Sequence, residues 1–321
     1  MKKYDWVSTI KLNLTLLKAM GLWPEGQTYK FDLYLLYGFT TTILFATLHC
    51  ICRTWKLLTN LNDLDVVTGT AFLSISETLV VVKMLYMARN IETFKELLVT
   101  LNSDLFQPRD EDQIELVTPS LNVWKSMHNL LGISIVVAVT SYAVAPLVTG
   151  SAKKHNLPLL ASYPYDATIS PFFEVTYLHQ VITIYIYGCC NANVDTFVAA
   201  FNLYAGAQLD ILCDDLRRME PGKFRREVVL CITRYWQIIR YNNSNIKIGQ
   251  KCSLFYSFVR TYNQTFNWMI FIQFFASTVS LGFTMFLLTT VSYNFVHFWN
   301  YYCVFCAGGT FQWRMLLVCV L

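Results

Sequence analysis

The stretch FFEVTYLHQVITIYIYGCCNANVDTFVAAF, residues 172–201, decides the fold of this chain because it contains no Lys or Arg. A mainly apolar run of about twenty residues or more is long enough to cross the hydrocarbon core of a membrane. Backbone in that environment must satisfy its own hydrogen bonds, so the run is predicted to be a helix. The segment DDLRRMEPGKFRR, residues 214–226, follows it and is rich in basic residues. This end of the helix is therefore predicted to face the cytoplasm.

The composition of the whole chain also favours a membrane protein. Of its 321 residues, 55% are apolar and only 14% are charged, whereas soluble domains carry about 25% charged residues. The net charge of +4 does not indicate nucleic-acid binding, because the basic residues lie in loops between apolar runs. Most of the ten cysteines lie inside apolar runs, including Cys303 and Cys306, so we expect no disulfides.

Hydropathy predicts an all-α, multi-pass membrane protein with about six spanning helices. The predicted spans are 33–52, 66–88, 127–150, the helix from residue 172, 266–291 and 295–321. The chain is predicted to have four parts. Residues 1–30 form a cytoplasmic or interfacial N-terminal segment with a short amphipathic helix, and residues 31–208 form helices one to four with an outer loop at 151–171. Residues 209–265 form a cytoplasmic helical hairpin followed by an atypical insert, and residues 266–321 form helices five and six with an aberrant C-terminus. Within the third part, residues 242–260 are predicted to form a loop.

The distribution of basic residues predicts the orientation. Summed over alternate segments, 18 Lys and Arg fall on the side of the N-terminus and 4 on the other side. The side with the excess is cytoplasmic. The glycosylation sequons at Asn13, Asn242 and Asn263 are then predicted to be unused.

Three charged residues inside apolar runs require an explanation, because charge is costly in lipid. Glu77 is expected to face other helices, in either a structural or a ligand-binding role. Lys83, which is near Arg89, is expected to extend toward the cytoplasm. Asp195 shares a helix face with Asn191, which is compatible with a functional site, an interhelical hydrogen bond or a water contact.

The sequence contains no HExxH, GxSxG, P-loop, GxGxxG or EF-hand spacing, each of which would indicate a particular catalytic or cofactor site. Its five histidines form no cluster with the spacing of metal ligands. We therefore expect neither an enzyme nor a metal or cofactor site.

Four segments resemble the insect odorant receptor family. They are GLWP (21–24), LPLLASYPYDATISPFFEVTYLHQ (157–180), AAFNLYAGAQLDILCDDL (199–216) and QFFASTVSLGFTMFLL (273–288). The resemblance covers most of residues 15–295, and the block at 157–216 is its most specific part. The cytoplasmic N-terminus predicted from charge is also the arrangement in that family.

The resemblance implies a subunit of an odour-gated, non-selective cation channel in the plasma membrane of chemosensory neurons. It implies a hetero-oligomer, a tetramer with a shared co-receptor, whose seventh helix lines the pore. Small volatile odorants would bind an apolar pocket in the outer half of the helix bundle. The predicted pocket residues are Phe72, Ile75, Ser76, Tyr142, Tyr177, Ile182 and Tyr185, although helix packing would also explain each of them.

Two departures from the family pattern leave alternatives open. Residues 242–260 look like extra sequence, and the C-terminal AGGTFQWRMLLVCVL does not resemble the family's sixth helix, so the seventh is expected to be missing. A non-conducting truncated product and a gustatory receptor of the same superfamily remain alternatives. A G-protein-coupled receptor is disfavoured by the charge distribution, and a transporter by the lack of inverted repeats.

Overall fold

The computed structural model describes residues 4–218 and 247–290, and every regular element in those ranges is helical. The α-helices are α1 (Lys11–Ala19), α2 (Leu33–Thr59), α3 (Leu64–Arg89), α4 (Ile91–Leu101), α5 (Glu111–Val148), α6 (Phe172–Arg217) and α7 (Lys247–Thr290). Short 3-10 segments occur at Trp6–Ile10, Asp104–Phe106 and Ser151–Lys154. The all-α prediction is confirmed. The second helix of the predicted hairpin and the predicted sixth span lie outside the described residues.

Aspartate residues begin three of the long helices. Asp32 accepts a hydrogen bond from the Leu35 backbone N–H at the start of α2, over 2.9 Å. Asp63 and Asp110 do the same at the start of α3 and α5. A carboxylate at this position satisfies a backbone donor that the helix itself leaves unpaired. These caps set the first residue of each helix more sharply than hydropathy does.

Among the described residues, three helices are long and apolar enough to cross a membrane, namely α2, α5 and α6. The spans predicted at 33–52 and from residue 172 lie within α2 and α6, and α5 covers the span predicted at 127–150 except for its last two residues. The helices also extend beyond the apolar runs. The third predicted span begins at residue 127, whereas α5 begins at Glu111. Likewise α6 continues to Arg217 and includes the first helix of the predicted hairpin. The number of spans and their orientation stay predictions.

The first spanning helix contains a π-helical segment at Thr41–Thr47. Two of its carbonyls accept hydrogen bonds from side chains of α6. His179 Nε2 bonds the Leu44 carbonyl over 3.1 Å, and the Tyr187 hydroxyl donates to the Ala46 carbonyl over 2.5 Å. Since the π geometry departs from the i→i−4 ladder of an α-helix, these bonds tie α6 to α2 where α2 is irregular.

The N-terminal segment packs against the bundle through the GLWP motif and α1. Gly21 has a positive φ of 76° and lies against Gly38 of α2, where an added Cβ would come within 2.3 Å of the Gly38 Cα. Only glycine fits both requirements. In α1, Asn13 is fully buried and its amide donates to the Thr196 hydroxyl over 2.7 Å. The predicted amphipathic helix is confirmed, and a buried Asn13 cannot carry a glycan without unpacking α1.

The main core is an aromatic cluster that joins the N-terminal segment, α4, α6 and α7. Phe201 lies at its centre, with ring contacts to Phe197, Tyr204, Phe258, Tyr262 and Phe266. Phe201 and Phe266 are fully buried. Phe258, Tyr262 and Phe266 recur every four residues along α7, which is the spacing of one helix face.

The prediction of a loop over 242–260 is wrong for residues 247–260, which are the start of α7. Lys251 is 3% exposed, and its ammonium contacts the buried Asp215 carboxylate of α6 over 2.9 Å. Gln113 of α5 donates to the same carboxylate over 2.8 Å. Three Asn in four residues, followed by an apolar run too short to span, predicted a loop, but the contact with Asp215, 36 residues earlier, keeps Lys251 inside the bundle.

Candidate ligand-binding site

A small apolar cluster lies apart from the main core, where α3, α5 and α6 meet the loop 151–171. Its buried members are Val139, Leu159 and Ile184, and its partly buried members are Leu73, Ile135, Tyr142 and Tyr185. We call this group the outer cluster, after the predicted outer loop that contributes Leu159. Three helices and a loop thus contribute to one group of mostly apolar side chains with a few polar groups, a composition that small-molecule sites also have.

The seven predicted pocket residues divide between this cluster and other surroundings. Tyr142 and Tyr185 belong to the outer cluster. Ile75, Ser76 and Tyr177 are partly buried, and Ile182 is 37% exposed. The side chain of Phe72 lies outside what the structure describes. The structure therefore brings two of the seven together in one apolar cluster.

Two of the predicted tyrosines use their hydroxyls to join α6 to α5. Tyr185 shares a hydrogen bond of 2.8 Å with the Thr140 hydroxyl, and Tyr177 donates to the Ala143 carbonyl over 2.7 Å. Because these hydroxyls already have partners, the two rings offer their apolar surfaces rather than their polar ends. The two tyrosines therefore hold α6 against α5 beside the outer cluster.

The outer loop is anchored over the cluster by Gln180, a fully buried residue of α6. Its side-chain oxygen accepts from the Leu159 backbone N–H over 2.9 Å, and its nitrogen donates to the Leu159 carbonyl over 3.0 Å. The same nitrogen lies 3.0 Å from the Tyr163 hydroxyl. The side-chain amide of Gln180 thereby satisfies the backbone N–H and carbonyl of Leu159, which lie in an irregular segment without helical hydrogen bonds. It also fixes Leu159 against the cluster.

A buried polar network continues from Tyr163 to α2 and α3. The Tyr163 hydroxyl lies 3.2 Å from His49 Nδ1, and Arg53 Nε lies 3.1 Å from Glu77 Oε2. Opposite charges at this distance form an ion pair, although neither Arg53 Nε nor Glu77 Oε2 makes a hydrogen bond of good geometry. Burial raises the pKa of Tyr163 to about 12, so its hydroxyl keeps its proton at physiological pH. The prediction that Glu77 faces other helices is confirmed, and its partner is a cation.

A second buried ion pair joins α3 to α6 further along the bundle. Lys83 Nζ lies 2.6 Å from Asp195 Oδ1 and 2.7 Å from Asn191 Oδ1. The prediction that Lys83 extends toward the cytoplasm is wrong, because the residue is only 4% exposed and bonds across the bundle. Among the interpretations of Asp195, the structure supports an interhelical contact, and it confirms that Asp195 and Asn191 share one face.

Comparison with protein families shows to which family this chain belongs. The family model described as "7tm Odorant receptor" matches residues 63–316, which is well over half of the chain. This chain belongs to the 7tm odorant receptor family. The match spans residues 242–260 and extends into the C-terminal segment that did not resemble the family's sixth helix. The receptor is also 22% identical over 298 residues to "Odorant receptor Or1" of Anopheles gambiae, covering 88% of this chain and 70% of that protein.

The receptor's fold is similar to solved structures of the insect olfactory receptor OR5 from Machilis hrabei. One structure superposes with a TM-score of 0.77 at 14% identity, covering 98% of this chain and 80% of that chain. A second, of OR5 in complex with eugenol, gives a TM-score of 0.79 with the same identity and coverage. At this identity the likeness concerns the fold alone. The resemblance read from the four sequence segments is confirmed.

Sequence reasoning missed the residues that hold the receptor's site together, especially Gln180, Tyr163 and His49. Gln180 could have been singled out from the sequence, because a side-chain amide in an apolar run requires a hydrogen-bond partner. Its partners lie in the loop, where no periodicity exists to reveal them. His49, one of the five histidines without metal-ligand spacing, connects the outer loop to α2 through Tyr163.

Proposed function

We propose that this receptor binds small volatile odorants at the outer cluster, as a subunit of an odour-gated, non-selective cation channel. It assembles with the odorant receptor co-receptor in the plasma membrane of chemosensory neurons, with its N-terminus in the cytoplasm. The family supports the receptor role, and the resemblance described above suggests the channel, the co-receptor and the cellular location.

The observation that carries the ligand site is the outer cluster itself. It is a separate apolar group, enclosed by three helices and by a loop whose backbone is fixed by Gln180. A preformed apolar site binds small apolar molecules by removing their surface from water, at roughly 25 cal/mol per Å². The related OR5 has been solved in complex with eugenol, a small molecule, which supports this assignment.

The direct test is to co-express the receptor with the co-receptor in oocytes and record currents during application of a panel of volatiles. We expect inward cation currents for a subset of the panel. Tyr142→Ala should shift the potency of the active volatiles by about tenfold or more, the factor that corresponds to 1.4 kcal/mol. Surface expression, measured by biotinylation, should stay close to that of the unaltered receptor.

Tyr256→Ala is a matched control, because Tyr256 is 48% exposed on α7 and is not a member of the outer cluster. It should leave odour tuning unchanged. If Tyr142→Ala reaches the surface and keeps the original tuning, the outer cluster is not the odorant site. If no volatile on a broad panel opens a channel although the co-receptor responds normally, the channel proposal itself is wrong.

The proposed orientation has an independent test in the sequons. With a cytoplasmic N-terminus, Asn13 and Asn242 face the side without glycosylation machinery, and Asn13 is in any case buried. Enzymatic deglycosylation should therefore leave the electrophoretic mobility unchanged. A shift that disappears in an Asn242→Gln variant would overturn the orientation.

A further inference from the structure

A cavity of about 340 Å³ lies where the N-terminal segment meets the start of α2. Its volume is within the range of small-molecule sites. None of its lining residues belongs to the outer cluster, so the proposed odorant site does not account for it. The polar residues that line it come from the end of α1, the segment after the GLWP motif and the start of α2, and they include Lys18, Glu25, Lys30, Asp32 and Tyr34.

The walls of this cavity are held by hydrogen bonds within the protein. The Tyr34 hydroxyl donates to the Lys18 carbonyl over 3.0 Å, which ties the start of α2 to the end of α1. The Lys95 ammonium of α4, a residue that is 9% exposed, donates to the Pro24 and Gly26 carbonyls. Because these bonds need no ligand, the cavity is preformed.

Three lysines converge on Gly26, in the segment that follows the GLWP motif. Lys95 bonds its carbonyl, and the Cε of Lys30 lies 3.9 Å from the position that a Cβ on Gly26 would occupy. Lys18 lines the same cavity. Burial and, after it, the nearby charge of Lys18 lower the pKa of Lys95. Like charges collected in one place repel each other, and a bound anion would relieve that repulsion.

The two carboxylates at the cavity leave these three ammonium groups in excess. Glu25 lies 3.2 Å from Lys18, but its side chain is 88% exposed, and an ion pair open to water contributes little. The Asp32 carboxylate already caps α2. Among the residues that the structure describes, no carboxylate forms an ion pair with Lys30 or Lys95. The cavity therefore favours an anionic ligand.

The cavity lies at the depth expected for lipid headgroups. Residues 30–34, which contribute to its lining, include the start of the first predicted span. Phe31 and Leu33 are 103% and 84% exposed, and Leu36 is 60% exposed about one turn further along α2. Exposed apolar side chains at the end of a spanning helix lie against acyl chains, next to the headgroup layer. With a cytoplasmic N-terminus, this layer is the one that carries anionic lipids.

From these observations we infer that the cavity binds the phosphomonoester headgroup of an anionic membrane lipid, with Lys18 and Lys30 contacting the phosphate. Ammonium groups bind phosphate oxygens through charge-assisted hydrogen bonds, which are roughly twice as strong as neutral ones. A phosphomonoester carries close to two negative charges at neutral pH, which suits a site with several cations. The phosphate replaces Glu25 beside Lys18, and that exposed carboxylate turns to water. The inference goes beyond odorant binding and rests on the proposed membrane orientation.

The test titrates short-chain lipids into the purified receptor in a nonionic detergent and records its melting temperature. The probes are dioctanoyl phosphatidic acid, dioctanoyl phosphatidylcholine with the same acyl chains, and inorganic phosphate. A ligand that binds only the folded protein raises the melting temperature according to its concentration and affinity. We expect phosphatidic acid to act at concentrations at least about tenfold lower than either of the other two probes.

Lys18→Gln combined with Lys30→Gln should raise the required concentration of phosphatidic acid by about tenfold or more, because each lysine beside an anionic headgroup contributes to binding. The matched control is Lys11→Gln combined with Lys125→Gln. It removes the same charge from two exposed lysines that do not line the cavity. The control variant should respond to phosphatidic acid as the unaltered receptor does.

Equal responses of the unaltered receptor to phosphatidic acid and phosphatidylcholine would overturn the inference, whether or not the variants fold. A response to inorganic phosphate as strong as that to phosphatidic acid would contradict the lipid assignment. An equal loss in both double variants would show that net charge, and not the cavity, attracts the lipid. None of these outcomes bears on odour-evoked currents, whereas a receptor that binds phosphatidic acid and is silent toward every volatile would contradict only the proposed function.

Discussion

The main core and the outer cluster are built from the same helix, α6, in two different ways. In the main core, α6 packs aromatic rings against α4, α7 and the N-terminal segment, and many of them are fully buried. In the outer cluster, α6 meets only a few apolar side chains, of which three are buried. Dense packing lowers the free energy of one arrangement, and the smaller cluster provides fewer such contacts. The difference indicates that the part of α6 in the main core contributes more to stability than the part in the outer cluster.

The largest effect is expected from the ion pair between these two regions. Lys83→Met removes the cation that contacts the buried Asp195 carboxylate. Removing one partner of a buried pair costs about 3–5 kcal/mol. We therefore expect almost no receptor at the cell surface and a sharply lower melting temperature in detergent.

The double variant Lys83→Met with Asp195→Leu is the control for this prediction. Replacing both charges by apolar groups of similar volume is often neutral or stabilising, so surface expression should largely return. If the double variant is as poorly expressed as the single one, the pair has a role beyond satisfying two buried charges.

An intermediate effect is expected where the outer loop is attached. Gln180→Leu leaves the Leu159 backbone N–H and carbonyl without their partners, at a cost of about 1–3 kcal/mol for each buried group. We expect faster hydrogen exchange of amides over residues 157–165, with little change in the main core. Unchanged exchange in the loop would show that other contacts fix it.

Gln208→Leu provides a comparison from the main core side of the same helix. Its amide nitrogen donates to the Phe106 carbonyl over 3.1 Å. This variant should leave exchange over 157–165 at its original rate. A loop that loosens in both variants would contradict the separation of the two regions.

The smallest effect comes from one methylene removed at two places on α6. Ile211 is fully buried in the main core, and Ile184 is 9% exposed in the outer cluster. Ile→Val substitutions cost about 0.5–1.5 kcal/mol. We expect Ile211→Val to lower the melting temperature more than Ile184→Val, because its surroundings are more closely packed.

Odour tuning should show the opposite order for these two variants. Ile184→Val should change the relative potency of large and small volatiles, whereas Ile211→Val should not. Equal melting temperatures together with equal tuning would remove the distinction between the two regions on which this comparison rests.

Hydropathy predicted the existence of the helices but not where they end. Aspartates at positions 32, 63 and 110 start three helices by capping them, and a capped helix continues into polar sequence as readily as into apolar sequence. The apolar run beginning near Met127 therefore marked only part of α5. The loop predicted over 242–260, from three Asn in four residues and an apolar run too short to span, is wrong for residues 247–260, where Lys251 contacts the buried Asp215.

The site could be predicted only in part, since its polar contacts are distant in sequence. Of the pocket residues that the family resemblance implied, Tyr142 and Tyr185 lie together in the outer cluster. Gln180 contacts Tyr163 across an irregular loop, and Lys83 contacts Asp195 across 112 residues. No periodicity in one sequence encodes such pairs, so they require the folded arrangement of the helices.

The continuity of α6 has a mechanical consequence. About 22 Å of helix separate Gln180 from Asp195, and about 30 Å separate Asp195 from Asp215, at 1.5 Å per residue. If Lys83 holds α6 at Asp195 as a fulcrum, a rigid helix is a lever whose longer arm ends at Lys251 and α7. A sideways shift of 1 Å at the loop would then become an opposite shift of about 1.3 Å at that end. Spin labels beside Gln180 and Asp215 would measure both arms, and movement of only one would show that α6 bends rather than pivots.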